Sequence, residues 1–343
     1  MSNLTVGLAI LGGLILAVIV AHSTWMARRN APRQAQELPK ESADAQAAGR
    51  IEPQFDGAMP ALPTPERRPG LDALIDIIAP IALETEGNVI SGEAALAAMP
   101  PTRRAGSKPF AVEGLNAASD AWETPAPGQR YSAFQAGVQL ANRTGALNEI
   151  EYSEFVMKAQ GFADAIGGTP DFPEMLEEVA RARELDQFAS AHDAQLSFTL
   201  RASSAAWSPG YVQQHAARLG FVAGVIPGRM VLPASEAGNP PVLGLAFDTQ
   251  AAMAEDPAQS AIRELTLSLD VPQVVRSERP FVRMREAAVA LAASMGGVLT
   301  DDLGARIAPE ALDGIGADLE QLYDTLEARD LAVGSGLARR LFS

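Results

Sequence analysis

Cysteine is missing from this 343-residue chain. Its absence excludes a disulfide framework and every reaction that needs a thiolate. Positive charge is scarce as well: 27 Lys and Arg stand against 42 Asp and Glu, for a formal net charge of −15. A protein that binds phosphate backbones needs a basic surface, so this balance argues against nucleic acid as a partner. Only Lys40, Lys108 and Lys158 are lysine, which reads as a codon bias toward arginine rather than as chemistry. Histidine occurs three times. His22, His192 and His215 share no spacing that builds a metal site or a Ser-His-Asp system, and each reads as a surface residue.

Phosphate-loop patterns are absent too. No G-x-G-x-x-G or Walker run stands between a strand and a helix. The glycine pairs beginning at Gly167 and Gly296 follow helical segments and read as their stops, whereas a phosphate site needs glycines leading into a helix. Asp301 and Asp302 are explained better by a hairpin turn than by a metal. Asn142-Arg143-Thr144 matches a glycosylation acceptor, which has no meaning on the cytoplasmic side. Arg276, Arg279, Arg283 and Arg285 cluster around a helix start. They read as an ordinary solvated face, with an acidic partner or lipid headgroup as the second reading. No catalytic residue, metal site or cofactor is expected, and the chain reads as a non-enzyme.

What is present begins at the N-terminus. Leu4 to Ala21 is an 18-residue run without charge, and Thr5 is its only polar side chain. As a helix it spans roughly 27 Å, close to the hydrocarbon thickness of a bilayer. No Lys or Arg precedes it, whereas Trp25, Arg28, Arg29 and Arg33 follow. Trp favours the headgroup layer and Arg the cytoplasmic side. The pattern predicts a transmembrane helix over 4–26, with the N-terminus periplasmic and the rest cytoplasmic, at the bacterial inner membrane. A cleaved signal peptide would carry its charge before the run and a small-x-small site after it. Ala9, Gly13, Ala17 and Ala21 share one helix face, which reads as ordinary composition for such helices rather than as a dimer contact. Residues 27–69 are rich in Ala, Pro, Gln and Glu, lack aromatic and β-branched clusters, and read as a flexible tether.

The remainder reads as α+β in two blocks, 70–192 and 193–343. In the first, LDALIDIIAPIAL, KPFAVEGLN and QRYSAFQAGVQLA are expected strands. SGEAALAAMP is a short helix with Ser91 as N-cap and Pro100 as its stop. EYSEFVMKAQGFADAIGG is a helix that buries Phe155, Ala159, Phe162, Ala163 and Ile166. PDFPEMLEEVARARELDQFA is a second helix, with Asp171 as N-cap, Pro173 in its first turn, and Met175, Val179 and Leu185 inside. In the second block QLSFTLRAS, FVAGVIPGRMVLP, PVLGLAF and ELTLSLDVP supply strands. WSPGYVQQHAARLG and RPFVRMREAAVALAASMGG are helices, VLTDDLGARIAP a hairpin, and Pro309 to about Asp330 the last helix. Both blocks run strand, helix to Gly-Gly, then a Pro-started helix, which favours an internal duplication.

Two stretches carry a family resemblance: the N-terminal run ending AHSTWMARRN, and ELTLSLDVP (264–272) with MGGVLTDD (295–302) and Ile307-Ala308-Pro309. They resemble the ZipA family of cell-division proteins, whose members anchor FtsZ to the inner membrane. The resemblance implies an antiparallel sheet with helices on one face and the C-terminal tail of FtsZ on the other. It assigns to that binding face Gln195, Ser197, Thr199, Ile226, Ala246, Asp248, Thr266 and Ser268, with Arg306 as a basic neighbour. Most of these are polar or small where the family carries large apolar groups, and each missing large side chain forgoes about 1.5–3 kcal/mol of burial. The tether is shorter than the family's, and residues 71–192 have no counterpart in its standard member.

Overall fold

The computed structural model describes residues 32–35, 70–84, 87–257, 259–301 and 304–343. The anchor expected over 4–26, with Leu4, Gly13, Ala21 and Trp25, lies outside them, as do Arg28, Arg29 and most of the tether. Among the described residues no helix is long and apolar enough to cross a membrane. The architecture is mixed α+β, with antiparallel sheets and helices. Two compact units divide the chain. One holds residues 70–194 with Val271–Arg276 and Leu319–Ser343; the other holds residues 32–35, Gln195–Asp270 and Ser277–Asp318.

The first unit is built on β1 (Asp76–Leu83), α1 (Gly92–Ala98), β2 (Lys108–Asn116), β3 (Arg130–Gln139), α2 (Glu149–Ile166), β4 (Gly168–Pro170) and α3 (Met175–His192). Its main strands lie in the order β2-β3-β1-β4, all antiparallel. The register sets Phe110, Val138 and Ile77 in one row and Val112, Ala136 and Ala79 in the next. All six are buried, as are Phe155, Ala159 and Phe162 of α2. Gly114 leaves room for this core, since a Cβ there would come within 2.5 Å of the Tyr131 ring.

Ser91 caps α1 as expected, accepting from Ala94 N–H at 3.2 Å. Asn148 opens α2 with a reciprocal capping box to Glu151, and Gly167 closes it at φ 65°, where only a residue without Cβ is unstrained. Asp171 is not the cap of α3. Its N–H donates to Pro80 O at 2.9 Å, extending the β1–β4 ladder, so the chain is still strand-like there. The helix starts at Met175 behind Glu174, which makes no side-chain cap, and Met175 is half-buried.

A terminal helix, Gly336–Leu341, was not anticipated from the sequence. Leu341 and Phe342 are each 1% exposed, and Arg340 pairs with Asp76, whose side chain is fully buried. Burial pushes the Asp76 carboxyl up, against the opposing pull of Arg340.

The second unit comprises β5 (Gln195–Ala202), α4 (Pro209–Ala217), β6 (Val222–Ala223), β7 (Arg229–Leu232), β8 (Leu243–Phe247), β9 (Glu264–Asp270), α5 (Pro280–Met295), β10 (Gly297–Thr300) and the first half of α6 (Pro309–Glu327). The sheet runs β6-β7-β8-β9-β5-β10, antiparallel throughout. Within it β8-β9-β5-β10 follows the same path as β2-β3-β1-β4, the order of a split β-α-β arrangement. Phe198, Leu200, Leu245, Leu265, Leu267 and Leu269 are buried, as are Met284, Leu291 and Met295 of α5. Ser208 and Pro209 open α4 as expected, and Gly296 closes α5 in the left-handed region. After β10 the chain turns at Asp301, whose N–H donates to Ala305 O, and returns through a single Thr300–Arg306 bridge. Asp302 lies outside the described residues.

Candidate functional site

Alternation along β5 and β9 sends leucines to one face and hydroxyls to the other. The register aligns the second set across strands. Ser197 pairs with Ser268, and Ser268 with Gly244. Thr199 pairs with Thr266, Thr266 with Ala246, and Ala246 with Arg229. On the other side Thr199 meets Thr300, which bridges to Arg306. One row thus crosses the sheet as Arg229, Ala246, Thr266, Thr199, Thr300 and Arg306. Ser268 and both arginines are exposed, Ser197, Thr199, Ala246 and Thr266 are half-buried, and Thr300 is buried with its hydroxyl donating to Thr199 O at 3.2 Å. The face is shallow and hydroxylic, with a cation at each end. It can accept and donate hydrogen bonds, and its two rows carry no large apolar side chain.

Of the nine residues assigned to this face, Ser197, Thr199, Ala246, Thr266, Ser268 and Arg306 come together on the two rows. Gln195 sits one step along, opposite Asp270. Ile226 lies in the β6–β7 turn, where its carbonyl accepts from Arg229 N–H at 3.0 Å, and it is 57% exposed beside a fully exposed Val225. Asp248 follows the end of β8 and caps a single helical turn, its carboxylate accepting from Gln250 N–H at 2.8 Å. It acts as a local cap there.

The arginine cluster is largely engaged within the chain. Arg276 pairs with Glu320 and Asp324, Arg283 with Glu278, and Arg285 with Asp313. Glu278 also accepts from Ser235 N–H at 2.7 Å, the leading cause of its lowered pKa. His192 stacks on Phe188 at 4.2 Å between ring centres, and His215 lies 4.4 Å from Tyr211. Among the described residues no group of three His, Cys, Asp or Glu is placed to hold a metal.

Two features of the first unit were missed in the sequence. Lys108 is 1% exposed. Its ammonium donates to Ser107 Oγ at 2.8 Å, Asn142 Oδ1 at 3.0 Å and Thr144 Oγ1 at 3.3 Å. Burial lowers its pKa, against Glu151 and Asp186. All three donors are used, so the cluster reads as structural rather than reactive. Asn142 is itself buried, and its Oδ1 also accepts from Thr144 Oγ1 at 2.6 Å. A lysine two positions before a buried Phe on one strand, and so on the same face, was the available signal. The second feature is an apolar groove of about 740 Å³ between α1 and α2, lined by Met99, Pro100, Pro101, Ile150, Met157 and Phe162 among others. Ile150 and Met157 are 80% and 67% exposed. Large apolar side chains outside the expected buried stripe of α2 were its sequence signal. Neither the family models nor the curated proteins compared with this chain give a match.

Proposed function

We propose that this chain is a non-enzymatic inner-membrane protein that holds FtsZ polymers at the cytoplasmic face of the bilayer. Its second unit takes the FtsZ C-terminal tail on the hydroxyl-lined face of β5, β8 and β9. The observation that carries the reading is the register that gathers Ser197, Thr199, Ala246, Thr266 and Ser268 on one accessible sheet face behind a leucine core. The membrane run, its Trp-Arg exit and the ZipA-like motifs support it from the sequence. The common strand order of the two units supports an internal duplication.

A face without large apolar anchors binds each tail weakly. Confinement by the anchor compensates, because a polymer presents many tails to many anchored copies and each further engagement is effectively intramolecular. The test is titration of the full chain in lipid nanodiscs with the FtsZ C-terminal peptide and with FtsZ polymer. Binding is expected with both, tighter for polymer, and weakened at least tenfold by Thr266→Glu. No peptide binding, together with recruitment unaffected by removing the tail from FtsZ, refutes the reading.

The groove between α1 and α2 favours a second reading, a scaffold that binds another division or envelope protein through its first unit. Met157→Glu then abolishes recruitment while Thr266→Glu leaves it intact.

A further inference from the structure

Residues 32–35 belong, by composition, to the tether, yet the structure builds them into the second unit. Arg33 N–H donates to Ala206 O at 2.7 Å, and Ser208 N–H donates to Arg33 O at 2.9 Å. These bonds form a parallel bridge to Trp207, which pairs on its other side with Ile262 through two bonds of 2.8 Å. The Arg33 side chain reaches the end of α5. Its Nη1 donates to Met295 O at 2.6 Å and its Nη2 to Ser204 Oγ at 3.4 Å. Met295 is the last residue of that helix, where backbone acceptors lack intrahelical partners and the helix dipole is negative. The indole of Trp207, 0% exposed, shares the same carbonyl at 3.0 Å. Gly296 completes the seat, since a Cβ there would stand 2.8 Å from Arg33 Nη1. A forked, permanently charged guanidinium suits two divergent acceptors, and lysine does not.

We infer that Arg33 is a clamp that fixes the N-terminal segment to the Gln195–Asp318 region, holding that unit close to the bilayer instead of at the end of a long tether. The height statement rests on the anchor proposed above; the clamp itself does not. A 43-residue tether over 27–69 has a root-mean-square reach of roughly 35 Å and an extended reach of about 150 Å. With Arg33 seated, only the six residues 27–32 separate the anchor from the unit, at most about 21 Å when fully extended. Residues 36–69 are then out of series with the membrane, and their length does not set the height of the peptide-binding face. An FtsZ-binding face held this way meets filaments at a defined distance.

The chain lacks cysteine, so Ala237→Cys at an exposed loop position gives one unique dye site. The labelled full chain is reconstituted into phosphatidylethanolamine–phosphatidylglycerol vesicles that carry a lipid acceptor dye. Deleting residues 40–59 is expected to leave energy transfer unchanged, whereas Arg33→Ala lowers it. In parallel, hydrogen exchange at the Arg33 and Ser208 amides is expected to be slowed at least tenfold relative to open chain, and the protection is lost in Arg33→Ala while that of α5 remains. Open-chain exchange at both amides in the unsubstituted protein overturns the clamp, as does transfer that shifts with the deletion as it does with Arg33→Ala. If the protein gives no transfer at all, the anchor reading falls and the exchange result still decides the clamp.

Discussion

Replacing Arg340 by alanine strands a carboxylate. Asp76 is fully buried at its side chain, and its charge partner in the first unit is Arg340, itself 21% exposed. Arg340 also donates to Gly70 O at 3.0 Å. Breaking one side of a buried pair costs on the order of 3–5 kcal/mol. An upper bound follows from the alternative open to the carboxyl, which is to take up a proton. With an unperturbed value of 3.8, protonation costs about 4.4 kcal/mol at pH 7 and about 1.6 kcal/mol at pH 5. Asp76 already titrates above that value because of burial, and removal of Arg340 pushes it higher. The charged form is therefore what the fold disfavours, and the electrostatic deficit of the variant is largest well above the folded pKa and vanishes below the unfolded one. Arg340→Ala is expected to lose about 3–4 kcal/mol at pH 7, with the deficit smaller by at least ~1 kcal/mol at pH 5. Hydrogen exchange of the β1 amides in rising urea reads this unit separately. A deficit equal at both pH values, or below ~1 kcal/mol at pH 7, refutes the argument.

The two helix starts of the first unit make a matched pair of predictions. Asn148→Ala removes a reciprocal cap and should cost about 1 kcal/mol in urea unfolding, whereas Asp171→Ala, whose role is a backbone bond to Pro80, should change stability by less than about 0.5 kcal/mol. His215 titrates below its usual 6.5 through burial first and then the Arg218 and Arg33 charges. Its neutral form is the one the fold accepts, so that contribution is whole above about pH 6.5 and is lost as pH falls. An NMR titration midpoint below 6.5, and a smaller drop in Tm between pH 8 and pH 5.5 for His215→Gln than for the unsubstituted protein, check the sign.

Most elements were legible because the chain writes them locally. The alternation of ELTLSLD and QLSFTLRA marks strands whose leucines are buried, and Ser91, Ser208, Gly167 and Gly296 mark helix ends that the structure keeps. What escaped was non-local. Asp171 has the right residue type for a cap, but its N–H is taken by Pro80, about ninety positions earlier. The helix Gly336–Leu341 is six residues long, too short for periodicity to show, and its place is set by Asp76 and a buried Phe342. Arg33 sits among residues with no apolar pattern and is ordered by a helix end more than 260 residues away. Lys108 looked like compositional noise and proved to be a buried hub with three acceptors.

The candidate face divides along the same line. Residues two apart on one strand share a face by geometry, so Ser197 and Thr199, or Thr266 and Ser268, were bound to emerge together once the strands were recognised. Which strand lies beside which is a long-range outcome, and it decides that Arg229 and Arg306 stand at the two ends of the threonine row. Residues beyond a strand's last ladder bond no longer follow the alternation, and for that reason Asp248 turned into a cap and Ile226 into a turn. A hydroxylic row between two exposed arginines cannot draw its affinity from burial at about 25 cal/mol per Å². The proposed peptide binding must draw instead on hydrogen bonds and on the attraction of two cations for an acidic or carboxylate-bearing segment, both of which water and salt weaken. On the proposed function, weak single contacts of this kind become useful when the face is kept where the proposed polymeric partner runs, and the proposed Arg33 clamp, with six residues between it and the proposed anchor, would keep it there more tightly than a long tether.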